Sequence, residues 1–219
     1  MKSSKLILGI FLIVSILDII GISIGNETMK YIFKPLIMLT LMAYYSVVVN
    51  NENKLYLAAL FFAFIGDVLL MFDTQLNFIL GLISFLIAHV LYIIIIVKLL
   101  NKSTSVQKTI AIVPFLIFYI GLIYLLKDSM GEMLIPVVIY GLIISTFGAV
   151  SFLNYLTKKS VVSLVLLGGA LFFIVSDSTL AIDKFYQSEG YFSILIMLTY
   201  ILAQYLICRF MIVESENKE

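Results

Sequence analysis

The chain has 219 residues, 63% of them hydrophobic and 12% charged, with a formal net charge of +1 and a mean hydropathy of +1.16. That balance excludes a soluble globular domain, whose exterior must be polar, and gives no footing for nucleic acid, which needs a cationic surface. A single cysteine, Cys208, and a single histidine, His89, exclude an intrachain disulfide, a cysteine-based zinc site and a three-histidine metal centre.

Apolar runs of about 20 residues, enough to cross roughly 30 Å of hydrocarbon as helix, recur eight times between short polar clusters. The reading is an all-α polytopic membrane bundle, one transmembrane domain over residues 1–219. Span 1 runs from Leu6 to Ile24. Its start resembles a signal peptide, but Asp18 interrupts the run and no small-x-small cleavage site follows, so it reads as a retained span. Span 2, Tyr31 to Val49, carries Lys34 and Pro35; span 3, Leu55 to Phe72, carries Asp67. In span 4, Leu76 to Val97, Gly81, Phe85, His89 and Tyr92 follow steps of four, four and three, which keep them on one helical stripe.

Span 5 runs from Thr109 to Leu126. Span 6, Met133 to Leu153, carries Tyr140 and the small residues Gly141, Ser145 and Gly148, a spacing suited to close helix contact. Span 7, Val161 to Ile182, carries Asp177 between Ser176 and Ser178, and span 8, Tyr191 to Val213, carries Tyr200 and Gln204. Pro35 lies near one end of its span, and Pro114 and Pro136 read as first-turn residues, so no span has a central break. Tyr31, Tyr56 and Tyr191 read as interfacial anchors.

Ten of the Lys and Arg residues, Lys2 and Lys218 among them, fall at one set of span ends and four at the other. The richer side is expected to be cytoplasmic and to hold both termini. Usage of Ile, Lys and Asn points to a bacterial cell membrane.

Ionisable side chains are costly within hydrocarbon, so Asp18, Lys34, Asp67, His89 and Asp177 are the informative positions. From the outer span ends, Asp18, Asp67 and Asp177 are expected about 8–10 Å deep and His89 near 20 Å, level with Gln204. Tyr140 and Tyr200 fall between, which describes a polar pocket tapering inward. Gly66-Asp67-x-x-Leu70 and Ser176-Asp177-x-x-Leu180 recur four spans apart, a hint of two parallel four-helix repeats. Plainer roles stand beside these. Lys34 near a helix end either snorkels or pairs with an acid, Asp18 serves as interhelical glue or in chemistry, and His89 is a hydrogen-bonded core residue or part of the site. No Gly-x-Ser-x-Gly elbow accompanies the serines, and no closed ligand set for a metal is found.

The ordered set Lys34-Pro35-Leu36, Gly66-Asp67-x-x-Leu70, His89-x-x-Tyr92, Ser176-Asp177-x-x-Leu180-Ala181 and Tyr200-x-x-Ala203-Gln204 resembles the lysoplasmalogenase family, the YhhN-like membrane proteins, over nearly the whole chain. The resemblance implies an eight-span hydrolase that cleaves the vinyl ether of lysoplasmalogens to a fatty aldehyde and glycerophospho-ethanolamine or glycerophospho-choline. The family's paired aspartates then correspond to Asp67 and Asp177. Asp18 matches no motif. One protonated and one ionised carboxyl suffice for that chemistry, so no cofactor is expected. Lys34 would hold the phosphate of a lysophospholipid entering from the bilayer, with His89, Tyr92, Tyr200, Gln204, Tyr140 and Asp18 lining the pocket. The competing expectation is a proton-coupled transporter using the same acids as a relay, and a third is a lipid-binding scaffold without turnover.

Overall fold

The computed structural model describes residues 2–216, the backbone alone for residues 2 and 3. Lys218 and the side chain of Lys2, both counted for orientation, lie outside the described residues. Eight α-helices follow one another: α1 (Lys2–Ser23), α2 (Glu27–Val48), α3 (Lys54–Leu69), α4 (Gln75–Lys98), α5 (Ser105–Leu126), α6 (Leu134–Lys158), α7 (Val161–Phe185) and α8 (Phe192–Glu216), with a 3-10 turn over Gly131–Met133 ahead of α6.

The polar clusters that punctuate the sequence are the helix caps. The Asn26 side chain accepts from Met29 N–H and the Asn53 side chain from Leu55 and Tyr56 N–H. Thr104 with Gln107, and Ser160 with Ser163, close capping boxes ahead of α5 and α7. Each satisfies backbone donors that a helix start leaves open. Because the Thr104 box starts α5 at Ser105, Pro114 lies nine residues into the helix instead of in its first turn.

Seven of the helices are long and apolar enough to cross a membrane, and the chain is a multi-pass integral membrane protein. The exception is α3, whose 16 residues reach about 24 Å. Its run was expected to continue to Phe72. Instead the ladder tightens after Leu69, where Met71 N–H bonds to Val68 C=O and Phe72 N–H to Leu69 C=O. Asp67 therefore occupies the last turn of α3, closer to its helix end than Asp18 or Asp177 to theirs. Large apolar side chains point outward, with Ile117 66% and Ile135 70% exposed. Lipid as solvent permits such a surface, where water would not.

Two compact units make up the chain: residues up to Ala88 together with those from Cys208 onward, and His89–Ile207. The division falls inside α4 and α8, not between α4 and α5. In the first unit α1 and α2 form a hairpin turned by Gly25, whose φ of 66° is a left-handed conformation that glycine adopts without steric cost. Tyr56, read as an interfacial anchor, is fully buried. Its ring stands edge-on to that of Tyr45 with centroids 4.7 Å apart, and the Tyr45 hydroxyl accepts from Asn53 N–H at 3.1 Å.

Close approach organises the second unit. A Cβ on Gly148 of α6 would lie 2.4 Å from Phe115 of α5 and 2.6 Å from Ile174 of α7, and one on Gly169 of α7 would meet Ile207 and the Ala203 carbonyl of α8 at 3.0 and 3.2 Å. The glycines thus let α5, α6, α7 and α8 pack tightly enough for their polar side chains to meet. Gly141 of the same α6 stripe sits against Tyr119.

Candidate functional site

The second unit gathers six of the nine residues singled out in the sequence. Tyr140 of α6, buried, donates its hydroxyl to Asp177 Oδ2 on α7. His89 of α4, fully buried, stands edge-on to Tyr140 with ring centroids 5.8 Å apart and to Tyr92 at 6.1 Å. Tyr92, one turn along the stripe, donates to Gln204 Oε1 at 3.0 Å, and Gln204 Nε2 donates to the Tyr200 hydroxyl at 3.4 Å. Two hydrogen-bonded pieces, Tyr140–Asp177 and Tyr92–Gln204–Tyr200, thus flank the His89 ring, which packs edge-on against Tyr140 and Tyr92.

Two residues absent from the sequence-derived site complete it. Phe173, four residues before Asp177 on α7, lies 4.4 Å from the His89 ring and 5.5 Å from that of Tyr200, and Phe147 lies 5.4 Å from His89. Their spacing was visible as Phe173 and Asp177 at i, i+4. Apolar identity hid them, because phenylalanine is commonplace in a chain of this composition. Around His89 they form an aromatic wall, a low-dielectric setting in which a buried polar contact is strong.

Asp177 itself is only partly buried. Ser178, next in the chain, lines an open groove of about 670 Å³ between α5 and α7 whose other walls include Pro114, Phe118, Leu171 and Ile182. Ser176 turns the other way and ties α7 to α8 through a 3.0 Å bond to the Ile196 carbonyl. On α7, Ser178 and Thr179, the residues that follow Asp177, thus line the groove, while Ser176 anchors another face of the helix.

The other three predicted residues belong to the first unit. Asp67 is 3% exposed. It follows Gly66, where a Cβ would lie 2.6 Å from the Phe85 ring, so α3 and α4 meet closely at this turn. Tyr31 of α2 donates to the Met71 carbonyl at 3.3 Å just beyond α3, and Lys34 follows Tyr31 by one turn. Asp18 is fully buried, and among the described residues no hydrogen bond reaches either carboxylate oxygen.

No match to the chain was found among curated proteins or solved structures. A family model, by contrast, matches residues 29–211, a stretch that includes every residue of the network and every predicted site residue except Asp18. The chain belongs to the YhhN family.

Proposed function

We propose that the protein is a membrane hydrolase cleaving the vinyl ether of lysoplasmalogens, with Asp177 as the acid and Asp67 as the base. The observation that carries this reading is the partly buried Asp177 carboxyl, which accepts the hydroxyl of Tyr140, a buried residue whose ring stands edge-on to His89. Vinyl ether hydrolysis begins when an acid delivers a proton to the β-carbon. The C=C pair forms the new C–H bond and the ether oxygen shares the resulting positive charge as an oxocarbenium ion. Water then adds to the α-carbon, losing a proton to a carboxylate, and the hemiacetal collapses to a fatty aldehyde and the glycerol hydroxyl. Overall one water is consumed, and nothing is oxidised or reduced.

Each part of the site suits one of these steps. A carboxyl in a low-dielectric wall is a competent carbon acid, as in glycosidases that pass through similar cations. The aromatic faces of Phe173 and Tyr200 favour a developing cation. The groove lined by Leu171, Ile174 and Ser178 suits a single hydrocarbon chain that reaches the protein from the bilayer, and Lys34 supplies a positive charge for the phosphate. Asp67 is the second carboxyl by its place in the family motif.

The test is aldehyde release by purified protein given a lysoplasmalogen, with ester and alkyl lysolipids as controls. The reading requires release from the vinyl ether alone and its loss in both Asp177→Asn and Asp67→Asn. Activity retained in both variants overturns the two-carboxyl mechanism. Uptake of an unchanged solute into proteoliposomes, without aldehyde, assigns the same acids to transport.

A further inference from the structure

The first unit carries a fully buried acid, Asp18 of α1, and a lysine, Lys34 of α2, on the two helices of one hairpin. Gly21 and Met29 bring α1 and α2 together just below their connecting turn: a Cβ on Gly21 would lie 2.7 Å from that of Met29 and 3.5 Å from Lys30 N. Asp18 precedes Gly21 by one helical turn and so shares the face of α1 that meets α2. Lys34 follows Lys30 by one turn of α2, at the matching level of the antiparallel hairpin. The charges of Lys34 and Lys30 both act on Asp18. Yet Lys30 is engaged at 2.6 Å by Glu27, and among the described residues no ion pair joins Asp18 to Lys34.

A carboxylate with no exposed surface and no donor on either oxygen is costly to keep. Here the lysine that attracts it makes no ion pair with it among the described residues, so the hairpin carries a negative and a positive group at one level without joining them. The complementary ligand is a zwitterion. A lone anion would meet Asp18 and a lone cation Lys34, each at a repulsive cost, whereas a molecule carrying both charges a few bonds apart satisfies the two at once. Asp18 lies five residues from the end of α1 and Lys34 seven from the start of α2, about 8 and 10 Å along their helices. That level suits the head of an amphiphile whose tail remains in lipid.

We infer that Asp18 and Lys34 form a clamp for a zwitterionic phospholipid headgroup, Asp18 receiving its ammonium and Lys34 its phosphate. The clamp makes Asp18, which lies outside the family motifs, the residue that selects zwitterionic over anionic lysolipids. The inference rests on the lysolipid reading for the ligand's tail, but the test does not require turnover. The probes are a saturated alkyl-ether lysophosphoethanolamine, which has no vinyl ether to cleave, its N-acetyl derivative with a neutral nitrogen, and its N-ethyl derivative of comparable bulk that keeps the charge.

Binding to the purified full-length protein in detergent is measured by titration calorimetry. The amine and N-ethyl probes should bind about tenfold more tightly than the N-acetyl probe, the range of one charge-assisted contact. In Asp18→Asn all three should bind alike, and in Lys34→Gln all three should weaken together. Equal affinities for the three probes in the wild type overturn the clamp, whether or not the Asp18 variant folds, and so does full discrimination retained in a folded Asp18→Asn. Discrimination by charge without aldehyde release from a lysoplasmalogen supports the clamp and sinks the hydrolase reading. Aldehyde release without discrimination does the reverse.

Discussion

Asp18 and Asp177 are both aspartates within apolar helices, and their surroundings treat them oppositely. Asp177 is partly exposed and accepts a hydrogen bond from Tyr140, whose ring stands edge-on to a histidine enclosed by aromatic rings. Asp18 is wholly buried, accepts no hydrogen bond among the described residues, and feels two lysines without touching either. A carboxyl meant to exchange protons needs fixed geometry and access to its reactant. One meant to receive a ligand cation needs its lone pairs left open, at a cost in stability that the ligand later offsets.

The comparison breaks most visibly in activity. Asp177→Asn and Asp67→Asn should each lower aldehyde release by about 10²- to 10⁴-fold, the span of a lost general acid or base, with thermal unfolding unchanged within a few degrees. Unchanged rates would reduce Asp177 to a structural acceptor for Tyr140.

Packing around Asp177 offers the next effect. Gly148→Ala forces a Cβ against Phe115 and Ile174 and should destabilise by about 1–3 kcal/mol in a reversible unfolding assay. A neutral result would mean that α5 and α7 yield, and that tight packing does not set the position of Tyr140. Tyr140→Phe removes the donor to Asp177 and should reduce kcat about tenfold with little change in KM, since a bond to a charged group is involved.

Asp18→Asn should behave in the other direction. Removal of a buried charge that has no hydrogen-bond donor among the described residues should raise the stability of the ligand-free protein by about 1 kcal/mol, read as a higher Tm. A lower Tm would show that the Asp18 carboxylate is already satisfied and would bring the two aspartates into one class. The smallest effect belongs to Gly121→Ala, where a Cβ meets nothing within 4 Å. There the change should stay within about 0.5 kcal/mol of zero or be slightly stabilising.

Much of this was legible in the residues. The eight helices follow from apolar length, and the caps from Asn, Thr and Ser at the breaks, because both are local properties of the chain. The stripe of His89 and Tyr92 was legible for the same reason, since helical spacing alone puts them on one face. The end of α3 was not. Leu70, Met71 and Phe72 are as apolar as the residues before them, and only backbone bonding shows that the helix stops at Leu69. Tyr56 misled because a tyrosine near a span end suits a membrane interface as well as it suits the Tyr45 ring.

The chain's composition by itself determined the solvent: with so few charges, only lipid can surround it, and backbone satisfaction in lipid then demands helices. It also singled out the polar residues by their scarcity. Which of them touch was decided by tertiary structure alone. Glycines at 148 and 169 set how near α5, α6, α7 and α8 approach, and that approach decides whether the Tyr140 hydroxyl reaches the Asp177 carboxylate. Hydropathy is a sum over single residues, whereas a hydrogen bond, or its absence at Asp18, depends on the positions of two.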